Sequence, residues 1–352
     1  MKLKSKTLTN YYGNNPSEYD LVFIHYNIDI EDESSEEYDK LKEDFNNIYN
    51  LNQESFLLYF SDLDNLLKVN NNIENNYKKY LRIRSIEEYN KLKESGINNI
   101  SLIVDINDLE KLNITDYDLV IQIDKVSELP IPKLDELVDK YNIKEILLGQ
   151  ISYLTKEDEE LYDVMSKMYN VAEEEKIELE HISKITNDLY SVNEYRKIVN
   201  KFNEIITKLD NEDEISSIYK IFNYITDNLV YDNDGVEKTK INNQNLIGPV
   251  LKNIGVCEGY AKYLEQILSL INVEVITVGG GGQKEEGGHI WNQVLVNDTW
   301  YNADVVSAYY SKENMCLVKD SNLLYKANTN IAHECKEDFK VDNKKLLTYH
   351  IR

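Results

Sequence analysis

The stretch "GVCEGYAKYLEQILSL", Gly255 to Leu270, sets a cysteine at the lip of an amphipathic helix. Tyr260, Ala261, Leu264, Ile267, Leu268 and Ile271 recur at helical spacing, so one face packs into a core and Cys257 falls in the first turn. Free backbone N–H groups and the positive end of the helix dipole lie beside a sulfur at that position, which favours thiolate over thiol. The same amides can receive a developing oxyanion. Gly255 and Gly259 permit a tight entry and the close approach of another element. A buried structural cysteine at a helix start is the competing reading, so the residues downstream decide.

A thiolate nucleophile needs a base within hydrogen-bonding reach, and the base needs an orienting group. "HIWNQVLV" (289–296) and "TWYNADV" (299–305) read as strands on either side of Asn297-Asp298, a dipeptide suited to a two-residue hairpin turn. That loop sets Val296 opposite Thr299 and Trp291 opposite Asp304. His289 then shares a face with Asp304, diagonal to it. Ile290, Val294 and Val296 with Tyr301, Ala303 and Val305 form the other, apolar face. A three-residue loop would put His289 and Asp304 on opposite faces.

Cysteine at a helix N-terminus, then histidine and aspartate on adjacent strands, resembles the transglutaminase-like superfamily of papain-like folds. The resemblance runs over residues 214–340 and rests on "CEGYA" from Cys257, "HIWNQV" from His289 and "DTWYNADV" ending at Val305. It implies an α+β papain-like core in which Cys257 is the nucleophile, His289 the general base and then acid, and Asp304 the orienter of the imidazole. The backbone N–H of Cys257 is one implied oxyanion donor. Tyr231 and Gln244 are candidates for the second, and Trp291 is a candidate wall of the cleft, with plain packing as its alternative role. "CLVKDSNLLYKANTNIAHE" (316–334) resembles the tail that follows the aspartate in bacterial members.

Upstream, the first half alternates short apolar runs with polar, helix-compatible segments: "LVFIHY", "FLLYF", "LRI", "SLIV", "LVIQI" and "EILLG". A degenerate apolar-x-x-apolar-x-x-apolar pattern recurs from Phe60, Ile83, Ile103, Ile123 and Leu148, roughly every 20 to 25 residues. This predicts an N-terminal α/β domain of repeated parallel strand-helix units, a partial barrel or a solenoid. No Gly-rich phosphate loop, CxxC or HExxH occurs there. His25 and His181 read as packed or surface residues. From Val192 to Leu229 the pattern changes to long helices, which places the boundary near residue 190: residues 1–190 form the β/α domain, and 191–352 the catalytic domain with its leading helices. The run "GGGGQKEEGG" (279–288) is expected to be a loop beside the cleft, a lid or a plain connector, and not a phosphate cradle.

The chain has 352 residues with 63 acidic against 39 basic, a net charge of −24. Such a field repels nucleic acid and anionic membranes. No apolar h-region follows the N-terminal lysines, and no window holds the eighteen or so apolar residues of a membrane span. Three cysteines, Cys257, Cys316 and Cys335, argue against a disulfide framework, so the expected compartment is the cytoplasm. The expected activity is thiol-dependent acyl transfer through an acyl-enzyme, acting as a peptidase or amidase on peptide or protein amides, with no cofactor. A transglutaminase-type amine acyltransferase and an inactive protein-binding module are the alternatives. A zinc site from Cys257, His289 and Asp304 with His333 or Cys335 lacks the usual short paired ligand spacing, so no metal is expected. The sequence leaves the oligomeric state open.

Overall fold

The computed structural model describes residues 22–25, 56–60, 63–69, 79–149, 152–153, 183–184, 188–209, 212–233, 241–282, 288–327 and 331–341. Within them the chain divides into two compact units, one holding residues up to Asp124 and Asp135–Val192, the other Lys125–Leu134 and Asn193 onward. The segment 125–134 interrupts the first unit and belongs to the second.

The first unit is built on β1 (Val22–His25), β2 (Phe56–Phe60), β3 (Lys79–Arg82), β4 (Ser101–Asp105), β5 (Asp118–Ile123) and β6 (Ile143–Leu148), each parallel to the next. β7 (Ser152–Tyr153) and β8 (Ser183–Lys184) form a separate antiparallel pair, and β9 (Leu189–Ser191) closes the main sheet antiparallel to β6. Leu102, Ile103 and Val104, and Leu119, Val120 and Ile121, are fully buried, as strands covered on both faces require. Between strands lie α1 (Leu63–Val69), α2 (Ile86–Ser95) and α3 (Leu109–Leu112). Ser85 caps α2 by accepting the Glu88 N–H at 3.2 Å, and Gly96 at φ 73° ends it in the left-handed region. α4 (Ile131–Lys140) begins in the segment given to the second unit. His25 lies in β1, and His181 lies outside the described residues.

In the second unit, α5 (Val192–Ile206) and α6 (Glu214–Asn228) precede β10 (Val230–Tyr231), α7 (Ile241–Gln244), β11 (Ile254–Gly255) and α8 (Cys257–Ser269). Asp213 caps α6 through the Ser216 N–H at 2.9 Å. Tyr195 donates its hydroxyl to the Leu129 carbonyl at 2.9 Å, and Gln266 of α8 accepts the Val126 N–H at 3.0 Å. These bonds hold 125–134 to this unit.

A five-stranded antiparallel sheet follows, in the order β15 (Cys316–Val318), β14 (Thr299–Ala303), β13 (Gly288–Val296), β12 (Val275–Gly282) and β16 (Tyr325–Ala327). Asn297 and Asp298, at φ 49° and 60°, form the two-residue turn, and Val296 pairs with Thr299. α8 lies on the sheet face that carries Asn292, whose Nδ2 donates to the Ala261 carbonyl at 3.0 Å.

Two expectations are corrected. β12 continues through Gly282, so the glycine run is strand over 279–282 and strand again at Gly288; residues 283–287 lie outside the described residues. Pairing on both edges overrides the local preference of glycine for loops. β14 stops at Ala303, not Val305, because Asp304 caps a short helix, α9 (Val305–Ser311). No helix among the described residues is long and apolar enough to cross a membrane.

Candidate active site

Cys257 is the first residue of α8, behind an N-cap, Val256, that offers no capping side chain. The first-turn amides are therefore not consumed by a cap of their own. The backbone of α7 docks against this end: Asn243 O accepts the Val256 N–H at 3.0 Å. A Cβ on Gly259 would stand 2.4 Å from that oxygen, and one on Gly255 3.1 Å from it. Both glycines are needed for this approach, which fixes the chain entering the helix. The thiol is half-buried, whereas Cys316 and Cys335 are buried.

His289 and Asp304 meet as the hairpin register requires. His289 Nε2 donates to Asp304 Oδ2 at 2.8 Å, with the two residues 5% and 1% exposed. Asp304 reaches it from the N-cap of α9, where Oδ1 accepts the Val306 and Ser307 N–H groups at 3.1 and 2.9 Å. The Ser307 hydroxyl donates to Oδ2 at 2.5 Å. One residue thus starts a helix and holds an imidazole. With Nε2 committed to Asp304, Nδ1 is the remaining ring nitrogen, and the charge of Cys257 acts on the ring. Burial pulls the imidazole pKa down, but the bonds and charges of Asp304 and Cys257 outweigh it and raise it from 6.5 to about 9. At neutral pH the ring is cationic beside the sulfur.

Tyr231, a candidate from the sequence, lies near the start of α8. β10 runs parallel to β11 and pairs Tyr231 with Gly255, two residues before the cysteine. The charge of the Cys257 sulfur acts on the phenol. Burial first, then the charge of Cys257, pushes its pKa well above the usual tyrosine value, so it stays a donor. Gln244 ends α7, half-buried; its neighbour Asn243 supplies the backbone contact, and Asn243 Nδ2 donates to the carboxylate of Asp232.

Trp291 is 2% exposed and forms no open wall. Its ring stacks on His289 with centroids 5.8 Å apart, and its Nε1 donates to Asn302 Oδ1 at 3.0 Å. Asn302 is held in turn, its Nδ2 donating to Asp320 Oδ1 at 2.8 Å. Tyr325, which sequence reasoning missed, sets its ring 4.2 Å from that of His289. Its placement follows from β16 pairing with Gly280–Gly282, a long-range contact with no local signal.

His333 stacks flat on Trp300 at 4.2 Å, and Cys335 lies against Gln293 Nε2 at 3.3 Å. Burial raises the Cys335 thiol to about 12 and lifts that of Cys316 far above the ordinary value. Among the described residues no three His, Cys, Asp or Glu side chains are arranged to hold a metal ion.

Residues 200–305 match the family model of the transglutaminase-like superfamily, a span that contains Cys257, His289 and Asp304. The C-terminal part of the chain carries a transglutaminase-like core. Comparison with curated proteins finds no match. Among solved structures the chain is similar to a protein provisionally described as a cysteine protease from Cytophaga hutchinsonii, at 14% identity and a TM-score of 0.26, over 37% of this chain and 42% of that one. It is also similar to a structure described as a TGase, at 13% identity and a TM-score of 0.29, over 50% of this chain and 48% of that one. The chain thus spans less than half the length of either.

Proposed function

We propose that the transglutaminase-like core is a thiol-dependent acyl-transfer catalyst acting on amides of peptides or proteins, with Cys257, His289 and Asp304 as its triad. The observation that carries this reading is the buried His289–Asp304 bond, 2.8 Å from Nε2 to Oδ2, on an imidazole that also feels the charge of Cys257 at the start of α8. A structural core has no reason to bury a cationic imidazole unless its partners are used.

The Cys257 sulfur, as thiolate, attacks the amide carbonyl carbon, and the carbonyl electron pair moves onto oxygen. The Cys257 N–H and the Tyr231 hydroxyl are the donors for that oxyanion. As it collapses, the imidazolium of His289 gives its proton to the leaving nitrogen, leaving a thioester and a neutral ring. His289 then takes a proton from the incoming acyl acceptor, which displaces the sulfur and regenerates the ion pair. Asp304 fixes the ring so that one nitrogen serves both transfers.

Water as acceptor makes the core a peptidase or amidase, and this is the favoured reading; a primary amine makes it a transferase. Incubation with a peptide library, with and without a fluorescent primary amine, separates them by mass spectrometry. Cleaved or deamidated peptides that disappear in Cys257→Ala support hydrolysis. Amine conjugates overturn hydrolysis in favour of transfer, and neither product beside a normally reactive Cys257 favours a binding module. The expected setting is cytoplasmic, and no nucleic acid, membrane or cofactor enters the scheme.

A further inference from the structure

Against Tyr231 stands a second aromatic ring, Tyr310, that the acyl-transfer chemistry does not use. Tyr231, whose strand partner Gly255 stands two residues before Cys257, packs edge-on against Tyr310 with ring centroids 5.6 Å apart and planes at 64°. Tyr310 is 56% exposed, one of five exposed large hydrophobic residues among those described, and the one whose ring adjoins a residue of the site. Its hydroxyl donates to Asn233 Oδ1 at 3.3 Å, which fixes the ring without covering it. Tyr309 also packs edge-on against Tyr310 at 5.2 Å, with Lys312 Nζ over the Tyr309 ring at 4.3 Å. The Tyr309 side of the pair is thus occupied.

The same short helix sets both ends of this arrangement. Asp304 at the N-cap of α9 holds His289, and Tyr310 in its last turn meets Tyr231. The exposed ring is therefore one aromatic contact from Tyr231, the strand partner of Gly255 just before the nucleophile. An edge-to-face pair with one ring open to solvent offers a further ring a ready partner.

We infer that Tyr310, with the ring of Tyr231, forms a subsite for an aromatic side chain next to the acyl group delivered to Cys257. This rests on the nucleophilic role of Cys257. It makes the core selective for amides flanked by Phe-, Tyr- or Trp-like groups over charged ones.

The test compares two electrophiles, iodoacetamide and its N-benzyl derivative, by their rates of alkylation at Cys257 in the full chain. Wild type should prefer the benzyl compound by roughly three- to tenfold, the worth of one aromatic pair. Tyr310→Ala should abolish the preference while leaving the iodoacetamide rate unchanged, and Tyr310→Phe should retain it. An equal ratio in wild type and Tyr310→Ala, with iodoacetamide still reacting, would overturn the subsite alone. Failure of iodoacetamide to react at Cys257 near pH 6 would overturn the nucleophile, and the subsite with it.

Discussion

Asp304 gives one carboxylate oxygen to the helix that follows it and the other to His289: Oδ1 caps α9 through Val306 and Ser307, and Oδ2 accepts the imidazole at 2.8 Å. Fold and site therefore share a residue, and substitutions there separate the two uses. Asp304→Asn keeps a capping oxygen, so above about pH 9, where His289 is neutral in both proteins, it should unfold within about 1 kcal/mol of wild type. It should still slow Cys257 alkylation near pH 6, because a neutral amide stabilises the imidazolium poorly. Asp304→Ala should lose reactivity and, in addition, about 1–2 kcal/mol of stability from the missing cap, read by thermal unfolding.

Protonation of His289 contributes to stability with a definite sign. Its folded pKa, about 9, lies above the ordinary 6.5, so the contribution is complete below about pH 6.5 and is lost as pH rises through 9. Wild type should lose up to about 3 kcal/mol between those limits. His289→Ala should show a flatter profile. A pH-independent unfolding midpoint from 6 to 10 in wild type would remove the raised imidazole from the scheme.

Tyr231→Phe keeps the ring against Tyr310 and removes the hydroxyl beside Cys257. Acyl transfer develops an oxyanion, whereas alkylation by iodoacetamide does not. We expect turnover of an amide substrate to fall by about tenfold to a thousandfold, with KM little changed. Alkylation of Cys257 should stay within about twofold of wild type.

The glycines divide by what surrounds them. A Cβ at Gly259 would meet Asn243 O at 2.4 Å, and backbone must move to admit it. Gly259→Ala should cost roughly 1–3 kcal/mol and disturb Cys257 reactivity. At Gly281 a Cβ meets nothing within 4 Å, so Gly281→Ala should be neutral in the same thermal assay.

The parts of this site that were legible in the sequence are those fixed by local rules. The helix from Cys257 declared itself by its apolar spacing, and Leu264, Ile267 and Leu268 are indeed fully buried. Asn297-Asp298 set a two-residue turn, and with it the register that aligns His289 with Asp304. The capping role of Asp304 was masked by the β-branched residues around it, although an aspartate before "VVSAYYS" is an N-cap signal. Tyr231 could be placed only by its two-residue pairing with β11, and Tyr325 only by a strand that reaches the far edge of the sheet. Neither contact leaves a period in the chain. The place of 125–134 in the second unit rests on Tyr195 and Gln266, residues distant in sequence that leave no local signal.

Activation of Cys257 by His289 is tested most directly by intact-mass analysis after brief iodoacetamide treatment near pH 6, where an ordinary thiol reacts slowly. Cys316 and Cys335 are buried with raised pKa values and should stay silent. We expect one adduct in wild type, none in Cys257→Ala, and a strongly slowed reaction in His289→Ala. Equal labelling of wild type and His289→Ala, or no selective adduct at Cys257, would contradict the pair and leave the fold as a binding module.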